Sequence, residues 1–89
     1  MEKIRLVASL ADLRRQIDQL DRQIVDLLAR RTKLMKGVLA QTDDEVDPDW
    51  QEQVLSNWLE QAFDFGLDES SSQKVCMAVM DMGKRTVEI

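Results

Sequence analysis

The chain has 89 residues, a net charge of −5, no histidine and one cysteine, Cys76. Without histidine, a His-based triad, a histidine general base and a His-ligated zinc site are excluded, and one cysteine makes neither an internal disulfide nor a cysteine metal cluster. Three Gly, one Pro and no Tyr, with hardly any β-branched alternation, indicate an all-α fold in a single small domain spanning residues 1–89.

Residues 1–8 read as a short irregular lead whose apolar run is too brief for a signal peptide, and nothing approaches a membrane span. With a single thiol flanked by Val75 and Met77, the expected location is the cytoplasm and the expected thiol is buried and free. Ser9 followed by Asp12 resembles a capping box opening a first helix. From there Leu10, Leu13, Ile17, Leu20, Ile24, Leu27, Leu34 and Val38 recur at alternating spacings of three and four. That is the seam of one long helix packed against other helices.

Arg31 stands in this seam where the repeat requires an apolar residue. Beside it, Arg14 and Asp21 occupy a flanking line that Leu28 and Met35 continue. A buried guanidinium without an anionic partner costs several kcal/mol, roughly, so Arg31 requires either a protein carboxylate or a ligand. On the outer face, Asp18 with Arg22 and Asp26 with Arg30 are spaced as i,i+4 pairs.

A helix over residues 10–41 is a rod of roughly 48 Å. A compact monomer of this length is only about 30 Å across. Part of the seam therefore overshoots its own globule, and a second copy related by a two-fold axis is the expected cover.

Thr42 to Val46 is a short polar loop, and Asp47-Pro48 starts a second helix, with Asp as N-cap and Pro at the first helical position. Trp50, Val54, Leu55, Trp58, Ala62 and Phe65 form its expected apolar face, and Gly66 its stop. Asp68 caps a third helix, about Glu69 to Thr86, with Val75, Cys76, Val79, Met80, Met82 and Gly83 as its buried stripe. The methionines here read as adaptable core filler.

Charge divides unevenly: residues 1–41 carry nine Lys/Arg and five Asp/Glu, giving +4, and residues 42–89 carry three and twelve, giving −9. An acidic whole with no basic stripe speaks against nucleic acid. The basic half either attracts a small anion or pairs with the acidic half.

The run LRRQIDQLDRQIVDLLARR, then DPDWQEQVL, then GLD before a last helix, resembles the small all-helical chorismate mutase family over almost the whole chain. The matching elements are Leu13-Arg14, Ile17-Asp18, Asp21, Leu27-Leu28 and Arg30-Arg31. The resemblance implies an intertwined homodimeric helical bundle of three-helix chains, with two active sites enclosed by both subunits. It implies a Claisen rearrangement of chorismate to prephenate in one step, with no cofactor and no metal. Such a reaction requires cationic clamps on two carboxylates and fixed donors facing the charge that develops on the ether oxygen.

By the same resemblance, Arg14 corresponds to the arginine that crosses the dimer to a substrate carboxylate. Arg31 corresponds to the one binding the other carboxylate, and Asp47 to the aspartate opening the second helix. The departures are equally specific. The family's ether-oxygen lysine falls at Thr42, and its second-helix arginine and hydroxyl-binding glutamate fall at Trp50 and Gln51 or, one residue on, at Gln51 and Glu52, so the arginine is missing either way. Its C-terminal Ser-x-x-x-Gln falls at Met82 or Gly83, then Thr86 or Val87, with Glu88 one residue off. The missing donors leave Gln41, Gln51, Lys84 and Arg85 as groups that would have to take over, Gln41 because it ends the seam.

Two readings follow. One is a chorismate-mutase-type isomerase with a divergent site in which Arg14, Arg31, Asp47, Gln51 and Gln41 hold a small dianionic substrate. The other is a non-catalytic module with the same fold that senses a dicarboxylate or modulates a partner enzyme, with Trp50 filling or stacking in the former pocket. A lyase acting on isochorismate would also depend on the absent loop lysine and gains nothing from this sequence.

Overall fold

A computed structural model describes residues 8–85; the N-terminal lead over residues 1–7 and the sites expected at Thr86, Val87 and Glu88 lie outside the described residues. The described chain is three helices: α1, Leu10–Gln41; α2, Pro48–Asp64; and α3, Glu69–Lys84. None of them is long and apolar enough to cross a membrane.

Each helix boundary has a local cause. Ser9 is extended and its Oγ accepts the Asp12 N–H at 3.1 Å, opening α1. The reciprocal half of the expected capping box is replaced, because the Asp12 carboxylate pairs with Arg15. Asp26 pairs with Arg30 as expected. Among the described residues the other expected surface pair, Asp18 with Arg22, is not joined.

After α1 the chain reverses through Asp43 and Asp44, both left-handed at φ 54° and 64°. Aspartate tolerates this region better than most residues because its short side chain bonds locally. Asp47 then accepts the Asp49 N–H at 3.0 Å and Pro48 enters α2 at its first position. Gly66, at φ +72°, closes α2. The Leu67 N–H donates to the Ala62 carbonyl at 2.8 Å and the Gly66 N–H to Phe63 at 3.1 Å, the paired closing bonds of a Schellman end. Asp68 opens α3 by accepting the Ser71 N–H at 2.8 Å, which holds its carboxyl below the ordinary aspartate value.

Helix α3 packs on both α1 and α2, which make no direct packing with each other. Its buried residues are Ser72, Cys76, Val79 and Gly83, spaced four, three and four, and they meet Met35 of α1 and Ala62 of α2 in the small core. Cys76 is fully buried and free, as expected. Two members of the expected α3 stripe are corrected: Val75 and Met82 are exposed. On α2, Val54, Leu55, Trp58 and Leu59 are half-buried beside Ala62, whereas Trp50 and Phe65 lie open.

The seam of α1 is bare. Its apolar members range from 36% exposed at Val38 to 73% at Leu34. The side of α1 that this protomer does cover is the neighbouring line, Leu28, Thr32, Met35 and Leu39, together with Arg31, the one seam position that is half-buried. Where α3 covers the flanking line it is apolar, at Leu28 and Met35; where α1 overhangs, the same line carries Arg14 and Asp21. The protomer measures 63 × 32 × 15 Å, with a radius of gyration of 17.6 Å. A compact chain of this length would have about 12 Å. The thin dimension corresponds to a single layer of helices, each about 10 Å wide.

Candidate functional site

The second half of α1, the first turns of α2 and the last turns of α3 enclose a recess lined by Arg31, Met35, Val46, Trp50, Gln51, Val54, Met80 and Lys84. Its walls are apolar, and its polar groups are one guanidinium, one ammonium, one carboxamide and the Trp50 indole. In the protomer its free volume is about 10 Å³, room for about one water.

Arg31 is half-buried and reaches from α1 to α3. Its Nη1 lies 3.7 Å from where a Cβ on Gly83 would stand, and Met35 Cγ lies only 3.0 Å from that point. The absence of a side chain at Gly83 is therefore what lets α3 close onto Met35 and the guanidinium. Burial pushes the Cys76 thiol above its ordinary value, and the Arg31 charge nearby offsets part of that rise.

Both cations sit at the C-terminal end of α3, where helix carbonyls present about half a negative charge. That charge favours them there but is too small to neutralise two. Among the described residues, neither Arg31 nor Lys84 has a carboxylate in ion-pair reach; the ion pairs formed are Arg15 with Asp12, Arg30 with Asp26, and Arg85 with Asp81. Pairing of Arg31 with an acidic residue of the shorter helices, the structural explanation open from sequence, is not what holds it. Arg14 is likewise unpaired with Asp18.

The candidate residues fall into separate groups. Arg31 and Gln51 share the recess. Asp47 lines the adjacent groove of about 400 Å³ with Val38, Thr42, Glu45, Asp49, Trp50 and Gln53. Trp50 belongs to both and stands as the wall between them. Gln41 is exposed at the last position of α1 and lines neither. Arg14 is exposed, 17 residues before Arg31, or about 25 Å along the helix.

At Thr42 the hydroxyl is engaged locally, 2.6 Å from the Glu45 carbonyl and 3.0 Å from that of Val38. Arg85 is turned away onto Asp81 at 3.0 Å. Of the four groups that sequence left as replacements, the recess contains Gln51 and Lys84.

A profile of the chorismate mutase type II family matches residues 13–88, most of the chain. The chain belongs to the chorismate mutase type II family. No curated protein and no solved structure matches it. The matched span covers α1 from Leu13 onward, all of α2 and α3, and every residue that lines the recess. The family match supports a chorismate-mutase-like function, and the all-α architecture is the one that the family resemblance implied.

Proposed function

We propose that this chain is a chorismate-to-prephenate isomerase acting as a homodimer, with one active site built around each Arg31 recess. The observation that carries the reading is the Arg31 guanidinium, half-buried and without a carboxylate partner among the described residues, beside a second cation, Lys84. The half-buried guanidinium, uncompensated among the described residues, calls for an anion, and Lys84, exposed at the rim of the same recess, adds a second positive charge. A dicarboxylate satisfies them, and Arg31 offers the planar fork that binds a carboxylate through two parallel hydrogen bonds.

The groove on the other side of Trp50 is lined by Glu45, Asp47 and Asp49 and repels a dianion. The substrate's carboxylates are therefore assigned to the Arg31 end, and Asp47 and Gln51 to its hydroxyl side. The recess as it stands is too small for the substrate, so binding requires it to open. Arg14 is too far along α1 to reach its own Arg31 recess. Its place on the overhanging half of α1, beside the bare seam, fits delivery to the site of a second copy.

The reaction requires little of the protein beyond a compact substrate conformer and charge facing the ether oxygen. No proton leaves the substrate, and neither a cofactor nor a metal enters the proposal.

The test is turnover of chorismate by wild type, Arg31→Ala and Arg14→Ala, each alone and the two variants mixed after unfolding and refolding together. Each single variant should lose activity while keeping the wild-type oligomeric state. In a mixed dimer, one site has both arginines, so an equal mixture should regain about one quarter of the wild-type rate. Chorismate binding without turnover in wild type would favour the sensing module. Unchanged turnover in Arg31→Ala would refute the site.

A further inference from the structure

We infer that Lys84, in the last turn of α3, is the catalytic cation that faces the substrate's ether oxygen, in place of a lysine at the end of α1. The inference rests on the isomerase reading above and assigns a residue to the one role that reading leaves unfilled.

The role is chemical. In the rearrangement the ether C–O bond breaks while a C–C bond forms within the same molecule. Negative charge builds on the oxygen that becomes the carbonyl oxygen of the product's pyruvyl group. Electron pairs move in a ring, so no oxidant, reductant or proton transfer is needed, and an ammonium donating a hydrogen bond keeps its proton throughout. A fixed cation at that oxygen stabilises the transition state more than the ground state.

The structure leaves few groups to supply it. Thr42 carries no charge, and its hydroxyl is committed to the turn after α1. Gln41 and Lys36 are exposed and outside the recess. Arg85 is paired with Asp81. Lys84 is exposed like them, but it lines the recess with Arg31, Trp50 and Gln51, and among the described residues no carboxylate pairs with it. The two cations divide by shape. The guanidinium fork of Arg31 matches a carboxylate, and the compact ammonium of Lys84 matches a single oxygen.

The position also has a cause in the packing. Gly83 brings α3 into contact with Met35 and Arg31, and the next residue, Lys84, is carried to the rim of the same recess. The cation so assigned lies in the last turn of α3, where the helix carbonyl dipole favours it.

The experiment is steady-state kinetics on the full chain with chorismate, comparing wild type, Lys84→Met, Lys84→Arg, Arg31→Ala and Arg85→Met. Lys84→Met should lower kcat by about 10²–10³-fold, the usual effect of losing one such donor. Its KM should stay within about threefold, as for an interaction made mainly in the transition state. Lys84→Arg should recover part of kcat, which a merely structural role would not produce. Arg85→Met, which removes the same charge one residue away, should behave as wild type and thereby exclude a general field effect. Wild-type kcat in Lys84→Met, with Arg31→Ala inactive, would overturn the inference while leaving the site intact. Absence of turnover in wild type and Arg85→Met alike would overturn the isomerase reading itself, and this assignment with it.

Discussion

Leu20 lies midway along the bare seam and is 56% exposed in the protomer. Full burial of a leucine side chain is worth about 1.5–3 kcal/mol, so covering the exposed part contributes about 0.8–1.7 kcal/mol per chain. A two-fold axis counts the residue twice, about 1.7–3.4 kcal/mol per dimer. Leu20→Ala removes most of this and should raise the dimer dissociation constant by about 15- to 300-fold. The control is Val25→Ala. Val25 is as exposed as the seam, at 64%, but off its line, so truncation there should leave the constant within about threefold. Sedimentation velocity over a concentration series reads both. A monomeric wild type, or equal effects of the two substitutions, would refute the claim that the seam is the surface a second copy covers.

Other perturbations test other parts of the fold. Gly83→Ala places a Cβ 3.0 Å from Met35 Cγ. Overpacking at this contact should destabilise the fold by about 1–3 kcal/mol in urea unfolding and should weaken chorismate binding through the displaced Arg31. The depressed carboxyl of Asp68 contributes stability that is full above its ordinary value of 3.8 and is lost as pH falls through the lower folded value. Asp68→Asn keeps an acceptor for the Ser71 N–H without titrating, so it should remove that part of the acid dependence of the melting temperature while preserving the cap. Cys76 is fully buried with its thiol pushed up, so a thiol reagent should label it only under denaturing conditions. Trp50→Phe should abolish the fluorescence change on chorismate binding, whereas Trp58→Phe, which lines a different groove beside Phe65 and Leu67, should retain it.

What could be read from the sequence was local. Ser9, Asp47, Pro48, Gly66 and Asp68 mark helix ends because a cap is an interaction between residues two to five apart, and each stands where its helix begins or stops. Arg31 was conspicuous for a similar reason, since a charge in an apolar repeat is visible without knowing what faces it. The buried state of Cys76 was expected from its apolar neighbours, but Val75 and Met77 are themselves exposed, and its burial comes from the line it shares with Ser72, Val79 and Gly83.

The remaining features depended on how the helices cross. Periodicity revealed two adjacent apolar lines on α1 but could not say which one α3 would take, because both carry apolar residues near where α3 arrives, Leu27 and Leu34 on one and Leu28 and Met35 on the other. The answer left the seam open and committed Leu28 and Met35 to the protomer's own core. Val75 and Met82 fit an apolar stripe as well as Ser72 does not, yet the close approach at Gly83 rotates α3 so that Ser72 turns inward and they turn out. The same rotation brings Lys84 to Arg31, a proximity between residues 53 positions apart that no spacing rule contains. Sequence alone determined an all-helical chain with a cation that demands a partner. Tertiary structure decided which groups share its recess, because that depends on the angle and depth at which one helix lies on another.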